Sequence, residues 1–270
     1  TIEHHRDKQM GVTIYLGQRK GYASTSDFSC EALQATVNAA LDIAKFTAED
    51  PCAGLPDQSQ LMLGDVPDLD LFHPWTPSVE HAVTLARECE AAGLALGPII
   101  QNSEGASVST HQGHFIMANS LGFMGGYPTS RHSVGCALIA ADDQGMQRDD
   151  WYESVRDPAL LPSVAGIGLK AAQRAAARLG GRQCPTGEVP VIFEAPIAST
   201  IVGNLVHAAS GGALYRKSSF LEGALGQQIL PDFVVLEERP LLPGGQSSAP
   251  FDGDGLPTKD RDVIRGGILN

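Results

Sequence analysis

Hydrophobic residues recur at helical spacing in three stretches of the chain, residues 29–46, 78–96 and 164–179. Apolar side chains at positions i, i+3, i+4 and i+7 lie on one face of a helix, so each stretch predicts an amphipathic helix. Ser29 supplies an N-cap hydroxyl for the first helix. Gly180 and Gly181 follow the third stretch directly, which is typical of a helix C-terminus.

Two-residue alternation and glycine-containing turns predict strands in the first half of the chain. Residues 1–5, 12–16 and 22–26 are read as a three-stranded meander that precedes the first helix. Residues 99–141 are rich in Ser, Thr, Gly and His, and predict antiparallel strands joined by tight turns. Residues 142–145 are then a hairpin tip, and residues 146–155 a returning strand.

The last third of the chain predicts further strands around irregular loops. A continuous apolar run at 189–194 predicts a buried strand, and strand-like pieces follow at 233–236 and 262–269. A Gly- and Pro-rich loop occupies residues 243–255 between these two pieces. The final residues read as the start of another strand, and the first residues as the interior of a domain, so we expect both ends to lie within larger units.

These elements together predict an α+β fold. Sheet-and-helix regions at the N-terminus and in the middle are followed by a β-rich C-terminal region. The expected boundaries are 1–60 for the end of an N-terminal α+β domain, 68–186 for the middle region and 188–270 for the start of the C-terminal domain. Residues 49–75 contain four prolines and many acidic residues, which predicts an irregular connector.

Charge and composition exclude several classes of function. The formal net charge is -12 and 43% of the residues are hydrophobic, so the chain has enough apolar content for a core but opposes contact with phosphate backbones. We expect no direct nucleic-acid partner. No apolar run reaches the roughly 18 residues of a membrane span, and no signal peptide is recognisable, which predicts no membrane association and a cytoplasmic location. The five scattered cysteines are expected to be small buried hydrophobes.

Sequence motifs for hydrolytic chemistry are incomplete. The eight histidines include no pair four residues apart, so the His-Glu-x-x-His pattern of a zinc peptidase helix is absent. No G-x-S-x-G turn is present either. His207 and Ser210 lie three residues apart and allow a Ser/His couple to be considered, but the favoured interpretation of Ser210 is a small residue at a helix-to-loop transition.

Residues 210–220, SGGALYRKSSF, join a Gly-Gly pair to a basic cluster in an acidic protein. Arg216 and Lys217 carry the charge needed to bind a carboxylate, a peptide C-terminus or the acidic surface of a partner. The alternative is an ordinary exposed loop. The candidate contacts for a peptide or partner are Gly211, Gly212, Tyr215, Arg216 and Lys217, and no catalytic or metal-binding residue is assigned.

Seven segments of the chain are distinctive: RKGYASTSDFS at 19–29, AEDPCAGLPD at 48–57, DLDLFHPW at 68–75, NSEG at 102–105, GGYPTSRHS at 125–133, SGGALYRKSSF at 210–220 and LGQQILPD at 225–232. In these segments the chain resembles the PmbA family, also called TldE, whose members are partner subunits of TldD. The resemblance covers nearly the whole chain.

The resemblance implies a cytoplasmic subunit of a heterodimeric zinc metallopeptidase that acts on unfolded peptides, with microcin precursor maturation and antitoxin turnover as family roles. In TldD a His-Glu-x-x-x-His motif precedes an Arg-Lys pair similar to Arg216-Lys217. Alignment from that pair places the motif on Gly203, Asn204 and Ala208, which retain none of its three functional residues. The resemblance therefore implies that zinc belongs to the TldD-like partner and that this subunit holds no cofactor.

Three functions remain open from the sequence. The leading hypothesis is a non-catalytic subunit that completes the peptide channel of a TldD-like metallopeptidase and forms a homodimer when alone. The second is a metallopeptidase in its own right with an unrecognised site. The third is a purely peptide-binding or regulatory module.

Overall fold

The N-terminal region is a two-stranded hairpin with one helix packed on it. A computed structural model describes all 270 residues. Strands β1 (Met10–Leu16) and β2 (Arg19–Thr25) pair antiparallel, and helix α1 (Cys30–Phe46) packs on them. The predicted meander is wrong in its first strand, because residues 1–5 are exposed and have no regular structure. Their alternating pattern finds no partner strand, and β-propensity has little effect without one.

Helix α1 begins where the sequence predicts. The Ser29 hydroxyl accepts a hydrogen bond from the Ala32 amide at 3.3 Å, which satisfies one free N–H of the first turn. The helix lies so close to β2 that a Cβ at Gly21 would be 2.0 Å from the Ala40 carbonyl oxygen. This approach requires a glycine at position 21, in the RKGYASTSDFS segment.

The middle region is a three-stranded antiparallel sheet with two helices on one face. Helix α2 (Val79–Leu94) precedes β3 (Ile100–Ala118), β4 (Met124–Asp142) and β5 (Gly145–Val155), and helix α3 (Val164–Ala177) follows. The sheet order is β3-β4-β5. The strand pattern of residues 99–141 resolves into two strands of 19 residues each with one intervening turn. The hairpin tip at 142–145 is confirmed.

The largest core lies between the two helices and the sheet. Cys89, Leu138, Ile167 and Ala171 are among its most buried members. The cysteine prediction is correct for Cys89 and Cys136 and wrong for the other three, which are exposed: Cys30, Cys52 and Cys184. A thiol is small enough to be tolerated at an exposed helix terminus or loop as well as in a core.

The C-terminal region combines two helices with three short strands. Helices α4 (Ala195–Ala209) and α5 (Gly211–Tyr215) precede β6 (Leu236–Glu238), β7 (Arg261–Arg265) and β8 (Ile268–Leu269), which form a sheet in the order β6-β7-β8. The strands predicted at 233–236 and 262–269 overlap these elements. Five buried residues form the centre of a small core there: Ala208, Leu221, Ala224, Ile264 and Leu269.

The buried strand predicted at 189–194 is wrong. These residues have no regular structure and are exposed, with Ile192 97% accessible. Pro190 lies inside the apolar run and removes a main-chain donor, so the run cannot pair as an interior strand. The predicted α+β class is nevertheless confirmed for the chain as a whole. None of its helices is both long and apolar enough to cross a membrane.

Candidate functional site

The two C-terminal helices meet at Ser210, which ends one and begins the other. Its hydroxyl accepts a hydrogen bond from the Ala213 amide at 3.4 Å and so caps α5. The Ser219 hydroxyl donates to the Ala208 carbonyl at 2.6 Å, which folds the following loop back against the end of α4. No hydrogen bond joins the His207 ring to Ser210, so the structure does not assemble a Ser/His couple.

The resemblance places the zinc-peptidase motif on helix α4, where Gly203, Asn204 and Ala208 offer no zinc ligand. Gly203 has no side chain, and Ala208 is buried in the small C-terminal core. The side-chain Nδ2 of Asn204 donates to the Thr200 carbonyl at 2.9 Å within the helix. Zinc requires imidazole, thiolate or carboxylate ligands, and no group of three such side chains comes together anywhere in the structure. The residues present therefore do not fit the metal.

Helix α5 contains Gly211, Gly212 and Tyr215, and it ends in a Schellman motif formed with the other two predicted contact residues, Arg216 and Lys217. The Ser218 amide donates to the Ala213 carbonyl and the Lys217 amide donates to the Leu214 carbonyl, both at 3.0 Å. The residue between helix and loop in this motif adopts left-handed backbone angles, which usually selects glycine. Here it is Lys217, with a φ of 54°. A lysine in this conformation raises the free energy of the folded state by roughly 1–2 kcal/mol.

Arg216 and Lys217 are exposed, and neither forms an ion pair within the chain. The Arg216 guanidinium instead folds over Gly212, where an added Cβ would be 3.4 Å from it, while Gly211 is open to solvent. Most other arginines in this acidic chain pair with carboxylates. Two cations without internal partners are therefore available to an anionic group from outside.

Tyr215 connects this cluster to the N-terminal connector. Its hydroxyl donates to Asp50 Oδ1 at 2.8 Å, across 165 residues of sequence. Asp50 also accepts from the Cys52 amide, and this bond, followed by the Tyr215 hydroxyl, lowers the pKa of Asp50. The hydrogen bond to Asp50 raises the pKa of Tyr215 in turn. The AEDPCAGLPD and SGGALYRKSSF segments thus meet at a single side-chain contact.

The raised pKa of Tyr215 predicts a delayed ionisation in an absorbance titration of the tyrosines. A tyrosine that donates to a carboxylate loses its proton only above its ordinary pKa, because the anion would face Asp50. Asp50→Asn should return Tyr215 to the ordinary range. Tyr127, whose pKa is raised by burial, should titrate late in both proteins and serves as the internal control. If the Asp50→Asn variant still contains a tyrosine that ionises late in addition to Tyr127, the result contradicts the contact between Tyr215 and Asp50.

A cavity of about 330 Å³ borders the joint between α4 and α5. Ala209 and Leu214 contribute from the helices, and Leu221, Arg261 and Asn270 from the loop and sheet. None of the five predicted contact residues lines it. The cavity beside α4 and α5 is therefore separate from the exposed cationic surface formed by Arg216 and Lys217.

Sequence reasoning missed Asp50 as a member of this site. Its carboxylate belongs to a proline-rich connector that predicts no regular structure, and its partner lies in the last quarter of the chain. The only available signal was that both segments belong to the resemblance. Motif position alone does not reveal which segments touch.

Comparison with known proteins identifies the class of this fold. Three domain models of one metallopeptidase family match consecutive parts of the chain: PmbA/TldA metallopeptidase domain 1 at residues 1–44, the central domain at 72–179 and the C-terminal domain at 186–270. The chain therefore belongs to the PmbA/TldD metallopeptidase family. This confirms the resemblance seen in the seven sequence segments.

Two similar relatives are metalloprotease PmbA of Escherichia coli O157:H7 and the PmbA homologue of Haemophilus influenzae. They are 43% and 41% identical to this chain over 268 residues, and each alignment covers 99% of the chain. The chain spans 59% of the length of either relative.

Solved structures show the same fold at lower sequence identity. A protein from Bacteroides thetaiotaomicron, described as a modulator of DNA gyrase, superposes with a TM-score of 0.88 at 24% identity, over 96% of this chain and 60% of its own. TldE from Thermococcus kodakarensis superposes with a TM-score of 0.68 at 19% identity, over 93% and 56%.

Proposed function

We propose that this chain is part of the non-catalytic, peptide-binding subunit of a two-subunit zinc metallopeptidase of the TldD/PmbA type, acting on unfolded peptides in the cytoplasm. The catalytic metal belongs to a TldD-like partner subunit. What supports the proposal is the chemistry of α4, where Gly203, Asn204 and Ala208, the residues on which the resemblance places the partner's motif, offer no zinc ligands. This chain contributes a peptide-contacting surface instead.

The peptide contact is assigned to Gly211, Gly212, Tyr215, Arg216 and Lys217. Lys217 supports it most strongly, because a cation occupies a left-handed position that favours glycine. Backbone strain of this kind persists where another requirement outweighs it. Arg216 supplies a planar donor group beside it, and the Tyr215–Asp50 hydrogen bond fixes the end of α5 that carries both. We assign the cations to a peptide carboxylate.

Lys217→Gly should stabilise the fold and weaken peptide binding. Relief of the left-handed strain contributes roughly 1–2 kcal/mol, and the added freedom of glycine in the unfolded chain offsets about 0.5–1 kcal/mol of it. The expected gain in the free energy of unfolding is thus about 0–1.5 kcal/mol, measured by urea denaturation. Binding of an unstructured peptide should weaken about fivefold, the effect of ~1 kcal/mol at an exposed cation.

Asp70→Gly is the matched control, since Asp70 has a φ of 57° and lies outside the proposed contact. It relieves a smaller left-handed strain, since aspartate tolerates this conformation better than lysine, and it also removes the ion pair from Asp70 to His73. Peptide binding should stay unchanged. A C-terminally amidated peptide should bind the unmodified chain about as weakly as the free peptide binds the Lys217→Gly variant. Equal binding of amidated and free peptides would remove the carboxylate assignment.

The division of labour between subunits is tested with the full-length protein. Purified alone, it should bind no stoichiometric zinc and leave an unfolded peptide intact, and addition of the TldD-like partner should produce zinc-dependent cleavage. The names of the relatives, metalloprotease PmbA and its homologue, favour the second candidate, a metallopeptidase in its own right. Zinc-dependent cleavage by the isolated full-length protein, abolished by a chelator and restored by zinc, would establish that alternative.

A further inference from the structure

Two side-chain contacts hold the α4–α5 arm, residues 194–217, against the first two regions of the chain. At its start the Glu194 carboxylate accepts from Arg174 of α3, and at its end Tyr215 donates to Asp50. No other hydrogen bond joins residues 181–238 to residues 1–179. The small C-terminal core contains only residues from 205 onward, and residues 181–193 are exposed without helix or strand. These two contacts are therefore the fixed points of the arm.

The Arg174 guanidinium is oriented by the middle region. Its Nε donates to Asp149 Oδ1 at 3.3 Å, and its Cζ lies 5.2 Å from the centre of the Trp151 ring. The two remaining nitrogens donate to the two carboxylate oxygens of Glu194, Nη2 to Oε2 at 3.1 Å. The side chains of Arg174 and Asp149 are only 22% and 14% exposed, so solvent screens this network less than an ordinary surface pair.

Glu194 is the residue at which α4 begins. Its carbonyl accepts from the amides of Ile197 and Ala198 at 2.9 and 2.8 Å, the first hydrogen bonds of the helix. Its carboxylate forms no capping hydrogen bond with α4 and gives both oxygens to Arg174. The hydrogen bond from Arg174 lowers the pKa of Glu194, so the contact is an ion pair at neutral pH. A bidentate pair at this residue fixes where the helix starts.

We propose that Arg174 is a positioning residue for the peptide contact: by holding Glu194 it sets the orientation of α4 and, through it, the place of α5. The inference rests on the proposed function, which assigns the peptide contact to α5 and the two residues after it. Helix α4 ends and α5 begins at Ser210, so a displacement of one moves the other. Neutralisation of Asp149 alone would not require Arg174, since Arg178 also donates to Asp149, at 3.5 Å.

Arg174→Ala in the full-length protein tests the proposal by hydrogen exchange and peptide binding. Amides of α4 should exchange about fivefold faster and an unstructured peptide should bind about fivefold more weakly, while the buried face of α3 stays protected. Glu194→Ala should give the same result, and the double variant no more, because both remove one contact. Arg178→Ala is the matched control on the same helix, since Arg178 does not contact Glu194. The Asp150 amide and Arg178 still satisfy Asp149 in Arg174→Ala, so this variant should fold.

Chemical rescue separates positioning from a general effect on stability. An open cavity of about 520 Å³ borders Arg174, Asp149 and Glu194, so a guanidinium ion can enter where the side chain is removed. Guanidinium chloride, far below denaturing concentrations, should restore slow exchange of α4 and peptide binding to Arg174→Ala. Potassium chloride and urea at the same concentrations should not, because neither combines a positive charge with planar donors. Glu194→Ala should not be rescued, since it lacks the carboxylate that the ion would bind.

Unchanged exchange of α4 in both Arg174→Ala and Glu194→Ala would overturn the proposal, as would losses that guanidinium does not restore. Equal losses in Arg178→Ala would overturn it too, since they would show an effect of net charge. Failure of the proposed function looks different. In that case α4 exchanges as expected in every variant, but peptide binding responds neither to Arg174→Ala nor to Lys217→Gly. That result would retain Arg174 as the residue that positions α4 and would remove the peptide contact from α5.

Discussion

Gly168→Ala should destabilise the protein by about 1–3 kcal/mol, the usual cost of forcing an extra methyl group into a packed core. Gly168 lies in α3 where this helix crosses α2, and a Cβ there would be 1.7 Å from the Cys89 carbonyl oxygen. The obstacle is main chain, which no rotamer change can move. Gly93 of α2 faces Gly168 at the same contact, so two glycines allow the helices to approach.

The comparison with Gly166→Ala isolates this steric effect from helix propensity. Gly166 lies in the same helix, and its added Cβ would meet only Ser163 Cβ, at 3.9 Å. Alanine there should stabilise the fold by up to about 0.5–1 kcal/mol. Urea denaturation at an unchanged m-value measures both variants. A loss for Gly168→Ala no greater than any change in Gly166→Ala would show that the helices separate without cost.

The helices were predictable because each carries its own signal. The hydroxyls of Ser29, Ser78 and Ser163 cap the three amphipathic helices, and the apolar spacing that follows each serine is the spacing of the buried face. The strand prediction at 189–194 is wrong for a related reason. The hydrophobicity of these residues indicates burial, but Pro190 lacks the main-chain N–H that an interior strand needs. Hydrophobicity reports what a segment can bury, and hydrogen bonding decides whether it forms a strand.

The candidate site was predictable in part. The cationic residues 216 and 217 stand out in an acidic chain, and the resemblance indicated where α4 would lie. The left-handed backbone of Lys217 and the Asp50 contact were not predictable, because they depend on the capping of α5 and on the path of a connector without periodicity.

The Arg156 guanidinium shows a second limit of sequence reasoning. It is 8% exposed and donates only to main-chain carbonyls: Gly245 at 2.8 Å, Gln246 at 3.0 Å, Ser130 at 3.1 Å and Leu71 at 3.4 Å. These carbonyls belong to the connector, to β4 and to the C-terminal loop that contains Gly245. Every residue type has a carbonyl, so no pattern in the sequence marks the partners.

Arg156→Ala should reduce the free energy of unfolding by about 3 kcal/mol, because it removes four hydrogen bonds from a charged donor. The carbonyls of Leu71, Gly245 and Gln246 each keep one other donor, from Ser130, Ser248 and Arg131 respectively, which limits the loss. Burial, and then the charge of Arg131, lowers the pKa of Arg156, so removal also relieves a desolvated charge. The four hydrogen bonds outweigh that relief, since a charged donor gives each about 1.5–3 kcal/mol. Arg156→Lys should lose an intermediate amount, because an ammonium lacks the planar fork that reaches carbonyls on three segments.

Arg148→Ala is the control for the Arg156 prediction, since Arg148 lies on β5, is half exposed and pairs with Glu104, a contact expected to contribute less than about 1 kcal/mol. Hydrogen exchange should show that Arg156→Ala loosens residues 69–73 and 242–248 before the helical core, because Arg156 is their shared anchor. If both variants lose the same stability and these segments stay protected, the packing of residues 69–73 against residues 242–248 does not depend on Arg156. The contact between Phe123 and Phe251 would then hold the C-terminal loop in place. The position of the loop that contains Gly245 and Gln246 would then be set by apolar packing rather than by Arg156.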